Sequence, residues 1–169
     1  IPLVIYDFND EYVFDLKEKI VDSAENIITI ETYDSQNSQI VQNAIIEDLG
    51  EVPLFIINPV DRLSAYTIIE KAALTNTPII FFNREPLYED LLKVSNAYYI
   101  GADPISSAVL QAEIVMDVFG NNPENLNDRD LNGDNVIQAI ILKGQIGHQD
   151  AELRTEYVIS EIEANGYHL

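Results

Sequence analysis

Short apolar runs alternate along the chain with segments whose apolar residues recur at helical spacing, and this alternation predicts an α/β fold. The strand-like runs lie at 3–6, 27–30, 53–57, 78–82, 97–100 and 136–142. The helical segments lie at about 13–21, 38–49, 63–74, 87–93, 105–119 and 150–164. Runs that are apolar at successive positions are typical of strands covered on both faces, so we expect a doubly wound, mainly parallel sheet.

A change of organisation is predicted near residue 103, where an acidic turn separates the fifth strand from a long helix. Glycine and proline flank this turn in the sequence Gly101-Ala102-Asp103-Pro104, a pattern typical of boundaries and crossovers. We therefore expect a first lobe over residues 1–103 and the start of a second, similar lobe over residues 104–169.

Composition and charge exclude several classes of protein. The chain has 29 acidic and 9 basic residues, a formal net charge of −20, which argues against nucleic-acid or anionic-membrane partners. It has no cysteine, so a disulfide framework and a zinc–thiolate site are both excluded. No apolar run reaches the roughly 18 residues that span a bilayer. The chain opens directly on a strand-like run with no secretory leader, as expected of a mature or trimmed chain.

A loop before the sixth strand has the spacing of a calcium site. Ca²⁺ takes six to eight oxygen ligands, and a tight loop can supply them at alternate positions. The candidate ligands here are Asp130, Asn132, Asp134, the Val136 carbonyl and Gln138. The bidentate glutamate of an EF-hand is missing, because its position holds Ile141, so the loop needs another carboxylate or binds weakly. A solvated turn is the alternative interpretation.

The turn after the sixth strand carries three polar side chains that suit a neutral polyol: His148, Asp150 and Arg154. A carboxylate accepts from hydroxyls, a guanidinium donates, and an imidazole does either. Asp150 and Arg154 are four residues apart and share a helix face. The alternative is an ordinary surface ion pair beside a polar residue at a helix start. No Ser, Thr or Cys stands close to His148 in the sequence to serve as a nucleophile.

Further polar side chains follow other strands of the predicted sheet. Asp10 and Tyr12 follow the first strand, and Asn83 follows the fourth. Ligands of open α/β sheets bind beyond the carboxyl ends of the strands, so these residues and the His148 turn are candidates for one binding edge. Individually, Asp10 also suits a helix cap, Tyr12 the edge of an amphipathic core and Asn83 a turn.

With these motifs in view, the sequence resembles the galactose/glucose-binding proteins of bacterial ABC sugar import, which have the periplasmic-binding-protein type I fold. The resemblance runs the whole length of the chain, and its motifs are the residues 5–12, 34–37, 81–86, 97–101 and 130–154. It implies that Asp10, Asn83, His148, Asp150 and Arg154 hydrogen-bond a hexose. It implies that Tyr12, where the family usually has phenylalanine, stacks on the sugar, and that the loop 130–138 binds structural Ca²⁺.

The resemblance also implies a function, which is non-enzymatic capture of D-galactose or D-glucose by two lobes that close through a hinge. The implied partners are an ABC permease and, in some species, a chemoreceptor. The implied location is extracytoplasmic, in the periplasm or as a lipoprotein on the outer cell surface. Family members are much longer, and their second stacking aromatic and the glutamate that completes the calcium site lie further along the chain. We therefore expect a C-terminal half of the same protein as a further partner.

Two other classes of protein remain open on the sequence. The effector domain of a LacI-type sugar-responsive transcription regulator shares the expected fold, but it needs a DNA-binding module before the first strand. The gene upstream of Ile1 discriminates the two, by a secretory or lipoprotein signal or by a helix-turn-helix. An α/β enzyme acting on sugars is the third class. It is disfavoured because no glycine-rich phosphate loop, nucleophile elbow or two-histidine metal motif occurs.

Overall fold

A computed structural model describes all residues from 1 to 169, and the chain divides into two compact units, Ile1–Gly101 and Ala102–Leu169. The first unit contains one sheet of five strands, all paired in parallel. The strands are β1 (Pro2–Ile5), β2 (Glu31–Asp34), β3 (Phe55–Ile57), β4 (Ile79–Phe82) and β5 (Ala97–Ile100). Their order is β2-β1-β3-β4-β5, and the predicted α/β class with a doubly wound parallel sheet is confirmed.

Four α-helices connect the strands of the first unit: α1 (Glu11–Ala24), α2 (Gln39–Leu49), α3 (Ala65–Thr75) and the short α4 (Tyr88–Leu91). A 3₁₀ turn at Arg62–Ser64 precedes α3. Side-chain caps fix the starts of the first two helices, because Asp10 accepts from the Val13 N–H and Ser38 accepts from the Val41 N–H. These caps set where each helix leaves the carboxyl edge of the sheet.

The core of the first unit lies on both faces of the sheet. Val4 packs with residues of α2 and α3, such as Ile46 and Ile69. Its neighbours in the strand, Leu3 and Ile5, pack on the other side against α1. Successive side chains of a strand point to opposite faces, so the two clusters show helices on both sides of the sheet.

The position of the second strand differs from the sequence prediction. The apolar run 27–30 is not a strand, and β2 is the polar segment Glu31–Asp34 that follows it. This strand lies at the edge of the sheet, paired only with β1. An edge strand has one free side and does not need an apolar side chain at every position, so an apolar run was the wrong signal for it.

The second unit contains two helices, α5 (Pro104–Phe119) and α6 (Gln149–Ala164). Its small core is formed between them by Ala112, Met116, Ile137, Ile162 and Tyr167. The segment around Ile137 is tied to the end of the chain, since the Ile137 N–H donates to the His168 carbonyl at 2.8 Å. Neither these helices nor those of the first unit have the length and apolar character needed to cross a membrane.

The predicted sixth strand at 136–142 is wrong in this structure. The segment has no regular secondary structure and no strand partner, and only Ile137 is buried. Ile140 and Leu142 are 91% and 94% exposed. A strand forms only where a neighbour satisfies its backbone hydrogen bonds, and the second unit contains no other strand. The expected sheet of a second, similar lobe is therefore not formed by these residues.

Candidate functional site

Asp10 lies at the carboxyl edge of the sheet, between β1 and α1, and both of its carboxylate oxygens are engaged. Oδ1 accepts from the Val13 N–H at 3.0 Å, which caps α1. Oδ2 accepts a hydrogen bond from the hydroxyl of Tyr6. The carboxylate is half-buried and held in one orientation, and each oxygen retains capacity to accept from a ligand hydroxyl.

Tyr6 and Arg84 form a stacked pair beside Asp10. The guanidinium carbon of Arg84 lies 3.8 Å from the centroid of the Tyr6 ring. Both residues are buried, and Nη1 of Arg84 donates to the Val60 carbonyl at 2.5 Å. Burial, followed by the hydrogen bond and charge of Asp10, raises the pKa of Tyr6 to about 12. Tyr6 is therefore a hydrogen-bond donor at neutral pH.

Asn83 lies directly after β4 in a left-handed backbone conformation, with φ of 64°. Its Oδ1 accepts from Nδ2 of the buried Asn58 at 3.3 Å, and Asn58 Nδ2 also donates to the Phe82 carbonyl at 3.1 Å. The hydroxyl of Tyr99 donates to the Asn83 carbonyl at 3.3 Å. The amide of Asn83 is thus oriented, with its nitrogen left to donate to an external acceptor.

A buried polar network supports Asn58. The side chain of Gln42, on α2, donates to the Ser35 hydroxyl and to the Asn58 carbonyl, each at 3.1 Å. Its Oε1 accepts from the Val60 N–H at 3.0 Å. Ser35, Gln42 and Asn58 are fully buried. The network connects the ends of β2, β3 and β4, and therefore fixes the edge on which Asn83 lies.

Tyr12 lies in the first turn of α1, two residues after Asp10, and is 67% exposed. Its ring is not part of the buried core. The Tyr12 ring is therefore an exposed aromatic surface near the capped start of α1.

In the second unit, the three predicted polyol ligands gather at the start of α6. His148 occupies the N-cap position, Asp150 lies in the first turn and Arg154 lies one turn further along. Asp150 Oδ1 is buried without a hydrogen-bond partner, and no salt bridge joins Asp150 to Arg154. Arg154 borders a cleft of about 280 Å³ between α5, α6 and the segment 139–144.

The predicted calcium loop is closed by its own side chains. Asp130 accepts from the backbone N–H groups of Gly133 and Asn135 at 3.0 and 2.8 Å. Asp134 accepts from the side-chain amides of Asn132 at 2.8 Å and Gln138 at 3.2 Å. Burial acts to raise the pKa of Asp134, but hydrogen bonds, first from the Val136 N–H and then from these amides, outweigh it and lower that pKa.

The loop fits a calcium ion in ligand type but supplies too few ligands. It brings two carboxylates, two amide side chains and one carbonyl to a single turn, all of them oxygen carriers of the kind that hard cations prefer. Five such groups fall short of six to eight ligands, and no group of three His, Asp or Glu residues suited to a metal occurs. The residue that would complete the site is not part of the loop.

Sequence reasoning missed the residues that hold these side chains: Tyr6, Gln42, Asn58 and Arg84. Asn58 carried a usable signal, because it is a polar residue at the end of a buried strand, the rule that selected Asn83. Tyr6 and Arg84 also follow strand ends, those of β1 and β4, but nothing in the sequence pairs them. Their stacking depends on β1 and β4 lying in one sheet, which neither residue reveals locally.

Comparison with protein-family models identifies the group to which this arrangement belongs. The model of the periplasmic binding protein domain matches residues 1–169, the whole chain. The chain belongs to the periplasmic binding protein family. The resemblance to periplasmic binding proteins drawn from the sequence motifs is thereby confirmed.

Among curated periplasmic binding proteins, the D-galactose/methyl-galactoside binding periplasmic protein MglB of Haemophilus influenzae is 38% identical over 170 residues. The match covers 98% of this chain and 50% of the relative. A putative rhizopine-binding protein of Rhizobium meliloti is 22% identical and matches over 88% of this chain and 45% of its own length. The chain thus spans about half the length of the curated relatives it matches.

Solved periplasmic binding proteins share the fold. The solute-binding protein of an ABC transporter from Bacillus halodurans, solved with myo-inositol, is 26% identical with a TM-score of 0.71. The match covers 96% of this chain and 52% of the Bacillus halodurans chain. A periplasmic ribose ABC transporter protein from Conexibacter woesei has a TM-score of 0.79 at 15% identity, covering 99% and 51% of the two chains. The homologues named here are solute-binding proteins.

Proposed function

We propose that this protein captures a hexose, D-galactose or D-glucose, for import by an ABC transporter. The observation that carries the proposal is the pair of oriented polar groups at the carboxyl edge of the first unit. Asp10 accepts hydrogen bonds, and Asn83 presents an amide nitrogen that donates them. A hexose presents hydroxyls of both kinds, and the 38% identical relative is described as binding D-galactose and methyl-galactoside.

Each remaining candidate has a role that follows from its chemistry. Tyr12 supplies an exposed aromatic face for the C–H groups of the sugar ring. Asp150 has a buried oxygen with no hydrogen-bond partner in the protein, and Arg154 forms no salt bridge. His148 stands beside them at the start of α6. Together they add acceptors and donors for a polyol.

The proposal extends to the whole protein. Family members act outside the cytoplasm, so we infer an extracytoplasmic location, in the periplasm or as a lipoprotein. The partners would be the permease subunits and, in some species, a chemoreceptor. A C-terminal half of the same protein would supply further sugar contacts, which is consistent with relatives twice the length of this chain. The proposed function is binding, which needs no chemical step from any residue.

We further propose that the loop 130–138 binds structural Ca²⁺ once a further carboxylate completes it. Asp130, Asn132, Asp134, the Val136 carbonyl and Gln138 would hold the ion, whose charge would replace the amide donors now facing Asp134. Thermal unfolding of the full gene product in Ca²⁺ and in chelator tests this. A Ca²⁺-dependent rise in Tm that Asp134→Ala removes and Asp128→Ala retains supports it; equal Tm values contradict it.

Isothermal titration of the full gene product with galactose and glucose tests hexose capture. Asp10→Ala removes an acceptor and leaves ligand hydroxyls unpaired, a loss of about 1–3 kcal/mol in binding free energy. Asp48→Ala is the matched control, because Asp48 is an exposed carboxylate on α2. An affinity of Asp10→Ala within twofold of the unmodified protein would contradict the assignment. The same titration on the 169-residue chain measures what these residues bind alone.

A further inference from the structure

We propose that Tyr6 is a positioning residue that orients the Asp10 carboxylate for the hexose, with Arg84 holding the Tyr6 ring in place. This inference rests on the proposed function, because it assigns a task to the residues around Asp10. It concerns residues that do not themselves need to touch the sugar.

The geometry restrains Asp10 from two directions. The Val13 N–H holds Oδ1 from the start of α1, and the Tyr6 hydroxyl holds Oδ2 from the end of β1. A carboxylate held at one oxygen can rotate about its side-chain torsion, whereas one held at both oxygens cannot. The remaining lone pairs therefore point in fixed directions, and less rotational freedom is lost when a ligand binds.

Arg84 makes the Tyr6 side of this arrangement rigid. Its guanidinium covers the Tyr6 ring at 3.8 Å, and only 8% of Arg84 is exposed. Nη1 donates to the carbonyl of Val60, which follows β3, so the cation is anchored to a second strand end. Two further carboxylates act electrostatically on this pair: Asp61 acts to raise the pKa of Arg84, and Asp7 acts to raise the pKa of Tyr6.

The charges are consistent with a fixed donor and a fixed acceptor. The pKa of Tyr6 is raised to about 12, first by burial and then by Asp10, so the proton stays on the phenol. Burial acts to raise the pKa of Asp10 but is outweighed by hydrogen bonds and charge, and that pKa is lowered. The groups that lower it are, in order, Tyr6, the N–H groups of Val13 and Tyr12, and Arg84. Asp10 therefore stays ionised and accepts at neutral pH.

Tyr6→Phe in the full gene product tests the inference, because it deletes the hydroxyl and keeps the ring under Arg84. We expect hexose affinity to fall about tenfold, the scale of one hydrogen bond to a charged group. We also expect a shift in the acid limb, the pH range over which hexose binding is lost as the pH is lowered. The variant should lose binding at a higher pH than the unmodified protein, because Asp10 loses the hydrogen bond that most lowers its pKa. A purely structural role of Tyr6 would not move this acid limb.

The matched control is Tyr33→Phe. The Tyr33 hydroxyl donates to Glu31 at 2.8 Å on the exposed part of β2, so this variant deletes the same type of bond outside the proposed site. It is expected to leave affinity and the acid limb unchanged. Carboxyl ¹³C titration of Asp10 by NMR, without sugar, adds a direct readout of its protonation in each variant.

Should Tyr6→Phe fail to fold, 3-fluorotyrosine at position 6 replaces it. Fluorine makes the phenol a stronger donor, so the acid limb should move to lower pH. Unmodified protein that binds neither hexose would overturn the proposed function and this inference with it. If unmodified protein binds, and Tyr6→Phe or fluorination changes neither affinity nor the acid limb, the positioning role is overturned while hexose capture stands.

Discussion

In the first unit, the apolar strand β3 lies between two parallel strands, β1 and β4. Asn58, the polar residue that follows β3, donates a hydrogen bond to the Phe82 carbonyl at the end of β4. In the second unit, the largely apolar segment 136–142 has no neighbouring strand and exposes Ile140 and Leu142. The same kind of sequence therefore has two outcomes. Apolar character makes a segment suitable for a strand, and a partner strand makes it one.

The candidate ligands of the two units differ in the same way. Asp10 and Asn83 are fixed by hydrogen bonds to other side chains, which reach them from several strand ends. Asp150 lacks a partner on Oδ1, and the calcium loop satisfies its carboxylates internally. The sheet edge thus orients its polar groups through side chains from several strand ends, whereas the second unit holds its loop carboxylates by local hydrogen bonds and leaves Asp150 Oδ1 without a partner.

The largest difference expected between the two units is in the unfolding free energy contributed by buried and exposed apolar side chains. Phe81→Ala, at a fully buried position of β4, should cost roughly 3–5 kcal/mol of unfolding free energy through lost apolar contacts and a cavity. Leu142→Ala, at a 94% exposed position, should change it by less than about 0.5 kcal/mol. Chemical denaturation followed by circular dichroism measures both. A cost above about 1 kcal/mol for Leu142→Ala would mean that the segment is covered in solution.

A smaller effect is expected from the polar groups. Asn58→Ala leaves the Phe82 carbonyl and Asn83 without their buried donor, at a cost of about 1–3 kcal/mol. Asp150→Ala removes no hydrogen bond from Oδ1. It should lower the unfolding free energy by less than about 1 kcal/mol, through loss of the favourable interaction between the carboxylate and the helix dipole. The same denaturation curves give both values. Equal costs would show that the two units hold their polar side chains equally.

The smallest effect concerns pH. The pKa of Asp10 is lowered in the folded protein, so its contribution to stability is present above its unfolded value and is lost as pH falls through the folded pKa. Asp10→Asn keeps a good helix cap but does not titrate. We expect its unfolding free energy to fall less steeply below about pH 4 than that of the unmodified protein. Parallel slopes in urea unfolding at several pH values would contradict this.

The sequence predicted most of the first unit, because four of its five strands are apolar enough to be recognised by pattern alone. It misplaced β2, since an edge strand such as Glu31–Asp34 carries the polar side chains that pattern analysis assigns to loops. It also selected Asp10 and Asn83, because the carboxyl edge of a parallel sheet is known once the strands are known. The supporting Tyr6–Arg84 stack was not predictable, since it joins residues 78 positions apart (84 − 6).

The sequence by itself determined the fold class, the family and the types of polar group available for a ligand, because these depend on local periodicity and short motifs. Only the tertiary structure decided which apolar segments became strands and which polar groups were held. Both outcomes depend on partners that are distant in the sequence: β1 and β4 for 55–57, and Asn58 for Asn83. Hydrogen bonds need a partner at the right distance, and the packed fold alone provides it.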